Sequence, residues 1–390
     1  MVDLKSKILS NIEKNRDEII ANRRYFHQNP ELSEKEYNTQ KKIMELLKSY
    51  GIESKKIANT GVIAEIKGVK NGKTIAIRAD IDALNLVDEI DKPYKSQNNG
   101  VCHGCGHDAH AAGLLGIAKA FQENKNELQG TLKLFFEPAE ESIGGADRMI
   151  KEGCLKGVEN VIGTHVWQPV KVGKASVRKE MMAAIGEFFI EITGVGGHGS
   201  QPHLCVNAAN IASQIVLALN TITSCRLDPR EMVVLSVGKM VSGSAMNIIP
   251  ETAEIRGTTR AFSVENLKKV EEQVNRMVKG ICDSNDAKCK VSFTYIFPAT
   301  INDERLVPVA EEAIKEVLGD VGLEPMLPNL GGESFSYFTQ EVPSIFIFTG
   351  VGNDTNAIYG HHNPKFDIDE NGLINGAKIL SNIALKLLFQ

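Results

Sequence analysis

The most constraining feature of this chain is an alternation of short apolar runs and helical stretches, interrupted by a central block with a different rhythm. The runs 62–66, 74–79, 131–136, 160–163 and 344–349 have strand length, and stretches such as 109–122 with helical character separate several of them. This alternation predicts an α/β domain with a largely parallel, buried sheet flanked by helices. Within the block, 188–192 reads as a strand, 206–221 as a helix, and 232–239 and 252–262 as two more strands. Ser263 then caps a helix whose Leu267, Val270, Val274, Met277, Val278 and Ile281 fall mostly at three- and four-residue steps, and 289–297 is a last strand. The order β-α-β-β-α-β predicts a ferredoxin-like unit. The expected organisation is an α/β domain over 1–183 and 298–390 that carries residues 184–297 as an insertion.

Near the N-terminus, Ser33 and Glu36 form the pattern S-x-x-E of a capping box, predicting a helix from there to about Tyr50 with Gly51 at its C-terminal cap. A chain of 390 residues suits two domains, and 42% apolar with 24% charged residues is ordinary for a globular protein. A net charge of −5 offers no electrostatic footprint for nucleic acid or an anionic membrane. The first fifteen residues are charged and amphipathic, unlike a signal peptide, and no apolar run is long enough to span a bilayer. Seven scattered cysteines do not form a secreted disulfide framework, so a reducing cytoplasm is the expected location.

Ligands of open α/β sheets bind beyond the carboxyl ends of the strands. There, 74–79 runs into Asp80 and Asp82, 131–136 into Glu137-Pro138-Ala139-Glu140-Glu141, and 160–163 into His165. A Gly-containing loop after 344–349 ends in His361-His362. The run Cys102-His103-Gly104-Cys105-Gly106-His107-Asp108-Ala109-His110 holds three of the nine histidines and two of the seven cysteines. Thiolate and imidazole are donors that Zn²⁺ and its first-row neighbours favour. Cys105 and His107 suit an extended loop presenting both to one ion, while Asp108 could cap the following helix or steady a ligating imidazole. Glu140 and Glu141, side by side, repel unless one binds a cation and the other shares a proton. Singly, each has a plain reading: a redox pair or half a zinc knuckle, a solvated acidic turn, a core histidine. Their joint fall at strand ends favours one metal-assisted hydrolytic site.

In order along the chain, these motifs resemble the peptidase M20 family, most closely its amidohydrolase branch. Arg23-Arg24-Tyr25-Phe26-His27-Gln28-Asn29-Pro30-Glu31-Leu32-Ser33 is similar to the family's R-R-x-x-H-x-x-P-E-L-S, and Arg78-Ala79-Asp80-Ile81-Asp82-Ala83-Leu84 to R-A-D-x-D-A-L. The cysteine–histidine run resembles H-x-C-G-H-D-x-H, Glu137–Glu141 x-P-A-E-E, and His198–His203 H-G-x-x-P-H. The resemblance implies Cys105, His107, Glu141, His165 and His362 as ligands of two divalent ions (Zn, Mn, Co or Ni), with Glu140 as general base and Asp82 and Asp108 in support. It implies His198 as a donor steadying the oxyanion from the partner subunit of a homodimer joined through the inserted domain. Asn247 and Arg260 are implied to hold the substrate carboxylate. The implied reaction is hydrolysis of the amide of an N-acyl amino acid. Cleavage of dipeptides or peptide C-termini on the same site is the alternative, and a small-molecule binding protein without catalysis a more distant one. The sequence departs from the family pattern at Asn85 for proline, at Ser334 for the aspartate of G-x-E-D-F, and after His203, where Leu204–Asn207 holds no aspartate. These changes read as touching the substrate side more than the metal side.

Overall fold

A computed structural model describes residues 2–142 and 144–390. The chain forms two compact units, the first from residues up to Met181, Ile301–Leu327 and Ser334–Gln390, the second from Met182–Thr300 and Pro328–Glu333. The second unit thus also takes in 182–183, 298–300 and 328–333, which the sequence pattern places in the first; Ala183 N–H binds the carbonyl of Gly331 at 2.9 Å.

The first unit is built on a seven-stranded sheet in the order Ser54–Ile57, Gly61–Lys67, Gln129–Glu137, Lys70–Asp80, Asn160–Lys171, Ser344–Gly352, Ala175–Ser176. The four inner strands run parallel, whereas Ser54–Ile57, Gly61–Lys67 and Ala175–Ser176 pair antiparallel at the edges. The sheet is therefore mixed rather than largely parallel. The reason is connection length: parallel neighbours need a crossover of a dozen or more residues, and the three residues between Ile57 and Gly61 can only reverse the chain. The helices His107–Glu123 and Glu370–Leu388 supply the apolar cover, each buried on nearly every side. Each fully buried Leu or Ile there is worth roughly 1.5–3 kcal/mol.

Gly106 opens the helix His107–Glu123 at φ 91°, and a Cβ there would lie 2.4 Å from Val166 Cγ2. Only glycine accommodates both the left-handed backbone and that approach. It sets Cys105 and His107 on either side of one sharp turn.

The expected capping box does not form. The helix is Tyr37–Ser49, its N-cap is Glu36, and no side chain caps it. Ser33 and Glu36 reach instead into the site described below. Gly51, at φ 76°, does end the helix, with its N–H on the Lys48 carbonyl.

The second unit has a four-stranded antiparallel sheet in the order Val233–Ser242, Thr252–Ala261, Ala184–Thr193, Lys288–Phe297. Burial along Ala184–Thr193 follows a period of nearly two, placing Phe188, Ile190 and Ile192 in a core with the helices Ala208–Cys225 and Val264–Asp283. Asn207 and Ser263 cap those helices, accepting from Ala209 N–H at 3.0 Å and Asn266 N–H at 3.1 Å.

Candidate metal centre

The donors converge at the carboxyl end of the inner strands of the first unit. His107 Nδ1 lies 3.0 Å from the Asp82 carbonyl and 3.2 Å from Asp82 Oδ1. With only acceptors on that side, Nδ1 carries the proton and the lone pair sits on Nε2. His165 repeats the device: Nδ1 donates to the Val166 carbonyl at 2.7 Å, and Nε2 faces Cys105 Sγ at 3.4 Å. Glu141 Oε1 lies 3.7 Å from His107 Nε2 and 3.4 Å from His362 Nε2. His362 is held at φ 62° with its N–H on the Gly104 carbonyl at 2.8 Å. Donor atoms of Cys105, His107 and His165 lie within 4.8 Å of one another, as do those of Cys105, Glu141 and His362, and of His107, Glu140 and Glu141.

Two buried atoms at the centre, His107 Nε2 and Glu141 Oε1, have no hydrogen-bond partner among the described residues. An unpartnered ring nitrogen facing an unpartnered carboxylate oxygen is costly unless a proton or a metal cation lies between them. Burial opposes a charge on His107, yet the carboxylates of Asp80 and Asp82 outweigh it and hold its pKa well above the usual imidazole range. Burial, then Glu141, pushes the Cys105 thiol well up as well. Both displaced equilibria are those a divalent cation reverses, replacing the proton on imidazole and thiol. The donor set therefore fits a metal.

Asp82 ties the donors together. Its Oδ2 accepts Ser33 Oγ–H at 2.6 Å and Glu141 N–H at 3.0 Å, while Oδ1 faces His107. Asp108 departs from expectation: its carboxylate pairs with Arg23 Nε and His27 Nδ1, both at 2.8 Å, and meets no candidate ligand among the described residues. Its helix begins at Gly106 without a side-chain cap, so Asp108 is free to serve this buried ion pair. His165 lies inside the strand Asn160–Lys171 rather than beyond it. The neighbouring strand stops pairing at Gly163, and His110 takes over: its Nε2 accepts Val166 N–H at 2.8 Å while Nδ1 binds Asp80 Oδ1 at 2.5 Å.

Glu140 is 7% exposed, and its Oε1 accepts Ser334 N–H at 2.9 Å. Ser334 Oγ reaches Glu137 Oε1 at 2.5 Å and receives Arg78 at 2.8 Å, whose guanidinium also binds Glu137 and Asp80. Ser334, at the position of the family's aspartate, thus lies on the buried side of the centre, against Glu137, Arg78 and Glu140. An aspartate would set a second carboxylate against buried Glu137. The sequence pattern gives Glu36 only a helix-capping role, yet its buried carboxylate accepts Ala139 N–H at 2.7 Å. Its place beside the N-terminal motif is the one signal that marks it.

His198, Asn247 and Arg260 belong to the second unit. His198 and Asn247 are neighbours: His198 pairs with Ile248, and Gly199 N–H binds the Asn247 carbonyl at 2.9 Å. His198 is exposed, and its Nδ1 faces Ser200 Oγ at 2.8 Å and Ser200 N–H at 3.2 Å. The backbone donor makes Nδ1 the acceptor and leaves the proton on Nε2. Arg260 is half-buried, with its guanidinium on Thr258 Oγ1 and the Thr259 carbonyl.

The sequence profile of Peptidase family M20/M25/M40 matches residues 76–386. Thermostable carboxypeptidase 2 of Saccharolobus solfataricus is 38% identical over 99% of both chains. The N-acyl-L-amino acid amidohydrolase of Geobacillus stearothermophilus is 40% identical over 76% of this chain and 81% of its own. Among solved structures, the Bacillus subtilis YXEP protein, a dinuclear metal-binding peptidase of family M20, superposes with a TM-score of 0.85 at 31% identity, covering 97% of this chain and 99% of that one. The chain belongs to peptidase family M20 and is a hydrolase of that family. Among the described residues no helix is long and apolar enough to cross a membrane.

Proposed function

We propose that the protein hydrolyses the amide bond of N-acyl amino acids at a centre of two divalent cations, with Zn²⁺, Mn²⁺, Co²⁺ or Ni²⁺ as candidates. The observation carrying the reading is the pair of orphaned buried atoms, His107 Nε2 and Glu141 Oε1, beside a second buried carboxylate, Glu140. Cys105, His107, Glu141, His165 and His362 are the proposed ligands. Bound there, the ions supply Lewis acidity to a water and to the scissile carbonyl. Glu140 takes the proton of the attacking water and passes it to the leaving amine. The Ser334 N–H holds Oε1 of that carboxylate at 2.9 Å and so fixes its orientation.

The second unit is read as a ferredoxin-like lid that joins two copies in a homodimer. Its strand order, with the first and third strands central and two helices packed on the sheet, supports the ferredoxin-like part of that reading. His198 is assigned to the oxyanion, supported by the Nε2–H that its Ser200 contacts leave free, and Asn247 with Arg260 to the substrate carboxylate. Seven unpaired cysteines support a cytoplasmic location.

Carboxypeptidase activity is the second reading, favoured by the Saccharolobus relative. An assay of N-acetyl and N-benzoyl amino acids against dipeptides, after reconstitution with each metal, separates the two. Glu140→Gln is expected to keep bound metal and lose at least about 10²-fold in kcat. Wild-type turnover by that variant would refute the base assignment.

A further inference from the structure

We propose that Glu36 is a positioning residue for this reaction: its carboxylate holds the left-handed turn at Ala139 that aims Glu140 and Glu141 at their separate tasks. The inference rests on the proposed roles of those two residues.

Glu36 is fully buried. Its Oε1 accepts Ala139 N–H at 2.7 Å and its Oε2 accepts Thr60 Oγ1–H at 2.6 Å, with no cation among its hydrogen-bond partners in the described residues. A buried carboxylate without a cation is a costly way to fill space, so its two contacts must matter. It does not cap its own helix. One of those contacts lies 103 residues away in sequence, immediately before the paired glutamates.

Ala139 has φ 55°, a conformation that a residue with a Cβ rarely adopts unless its surroundings impose it. A change of φ there would swing Glu140 and Glu141 together. Three contacts oppose it. Glu36 holds the N–H of Ala139, Asp82 holds the N–H of Glu141 at 3.0 Å, and Ser334 N–H holds the carboxylate of Glu140 at 2.9 Å. Of the three, Glu36 acts on the strained residue's own N–H, while the Ala139 carbonyl accepts Gly144 N–H at 3.2 Å. The N-terminal segment reaches the centre twice, since Ser33, three residues earlier, holds Asp82.

The decisive comparison is between Glu36→Gln and Glu36→Asp. Glutamine loses the charge but keeps an oxygen within reach of Ala139 N–H, and its amide can serve Thr60. Aspartate keeps the charge but withdraws the acceptor by about 1.5 Å, one carbon–carbon bond. If reach is what matters, Glu36→Gln retains kcat within about tenfold. Glu36→Asp loses about 10²-fold at unchanged KM, the scale expected when reacting groups are misplaced by about an ångström. Amide hydrogen exchange of residues 139–141, read in the protein without added metal, should quicken in the Asp variant and not in the Gln variant. Thermal melts of both confirm that folded protein is compared. The reverse order, with Asp active and Gln inactive, or kcat within about threefold of wild type for both, overturns the proposal, as does exchange unchanged in Glu36→Asp. Glu140→Gln, run alongside, reports separately on the base assignment: its failure to lower kcat would remove the role that Glu36 is said to serve, whatever the exchange shows.

Discussion

Replacing Asp82 by asparagine tests how the centre is held. The wild-type carboxylate accepts from three donors: His107 Nδ1, Ser33 Oγ and Glu141 N–H. Burial pushes its pKa up, but His107, Ser33 and the Glu141 amide outweigh that and keep it below the usual carboxylate value. Asparagine has one oxygen for these donors. Turned one way, its NH₂ confronts the His107 Nδ1–H; turned the other, it confronts the Glu141 N–H. The serine hydroxyl can rotate to accept, but a ring N–H and a backbone N–H cannot. One charge-assisted hydrogen bond is therefore lost in either orientation, about 1.5–3 kcal/mol. Referred to the cation-binding arrangement, this corresponds to roughly 10- to 100-fold weaker affinity, the range found when a group supporting a metal ligand is removed. The assay is a titration of metal-stripped protein in chelator-buffered Zn²⁺ or Mn²⁺, read as the apparent Kd. An affinity within about twofold of wild type would refute the reasoning, because it would mean that neither His107 nor Glu141 depends on the Asp82 carboxylate for its aim.

Two further outcomes are expected. Cys105→Ser should weaken cation binding by more than the roughly 10- to 100-fold of a supporting contact, because a hydroxyl replaces a thiolate donor; unchanged metal content by elemental analysis would remove Cys105 from the ligand set. His103, buried with neither ring nitrogen hydrogen-bonded among the described residues, has its pKa pushed down to about 4 by burial. Between about pH 6.5 and 4 the unfolded chain binds the proton that folded His103 refuses, so stability is full above that window and falls as pH drops through it, by up to about 1.4 kcal/mol per pH unit. His103→Leu should flatten that slope in melts at pH 4.5–7, and identical slopes in the two proteins would place the unfavourable titration elsewhere.

Residue chemistry alone makes the donors legible: a thiol, imidazoles and paired carboxylates at strand ends have few other reasons to gather. Sequence does not reveal which groups hold them. Ser33 and Glu36 form a local pattern with a good local explanation, yet their partners lie 49 and 103 residues away. Asp108 reads as support for its neighbour His107, but adjacency on a helix turns side chains apart, and it meets Arg23 instead. Ser334 invites attention to its side chain, whereas part of its contribution is a backbone N–H, which no residue type advertises. Ser54–Ile57 lacks a strand signature because its two lysines face solvent on an edge strand, and the antiparallel margin of the sheet is hidden with it.

The family profile begins at residue 76, after both Ser33 and Glu36. A fragment trimmed to those limits would carry every proposed ligand, the proposed base and the inserted unit. It would nevertheless lack the hydroxyl on Asp82, the carboxylate on Ala139 and the guanidinium of Arg23 that neutralises Asp108. The first seventy-five residues are thus the mould in which the ligand-bearing loops are cast, and a profile of the ligands alone does not delimit the smallest piece of chain that can keep their shape.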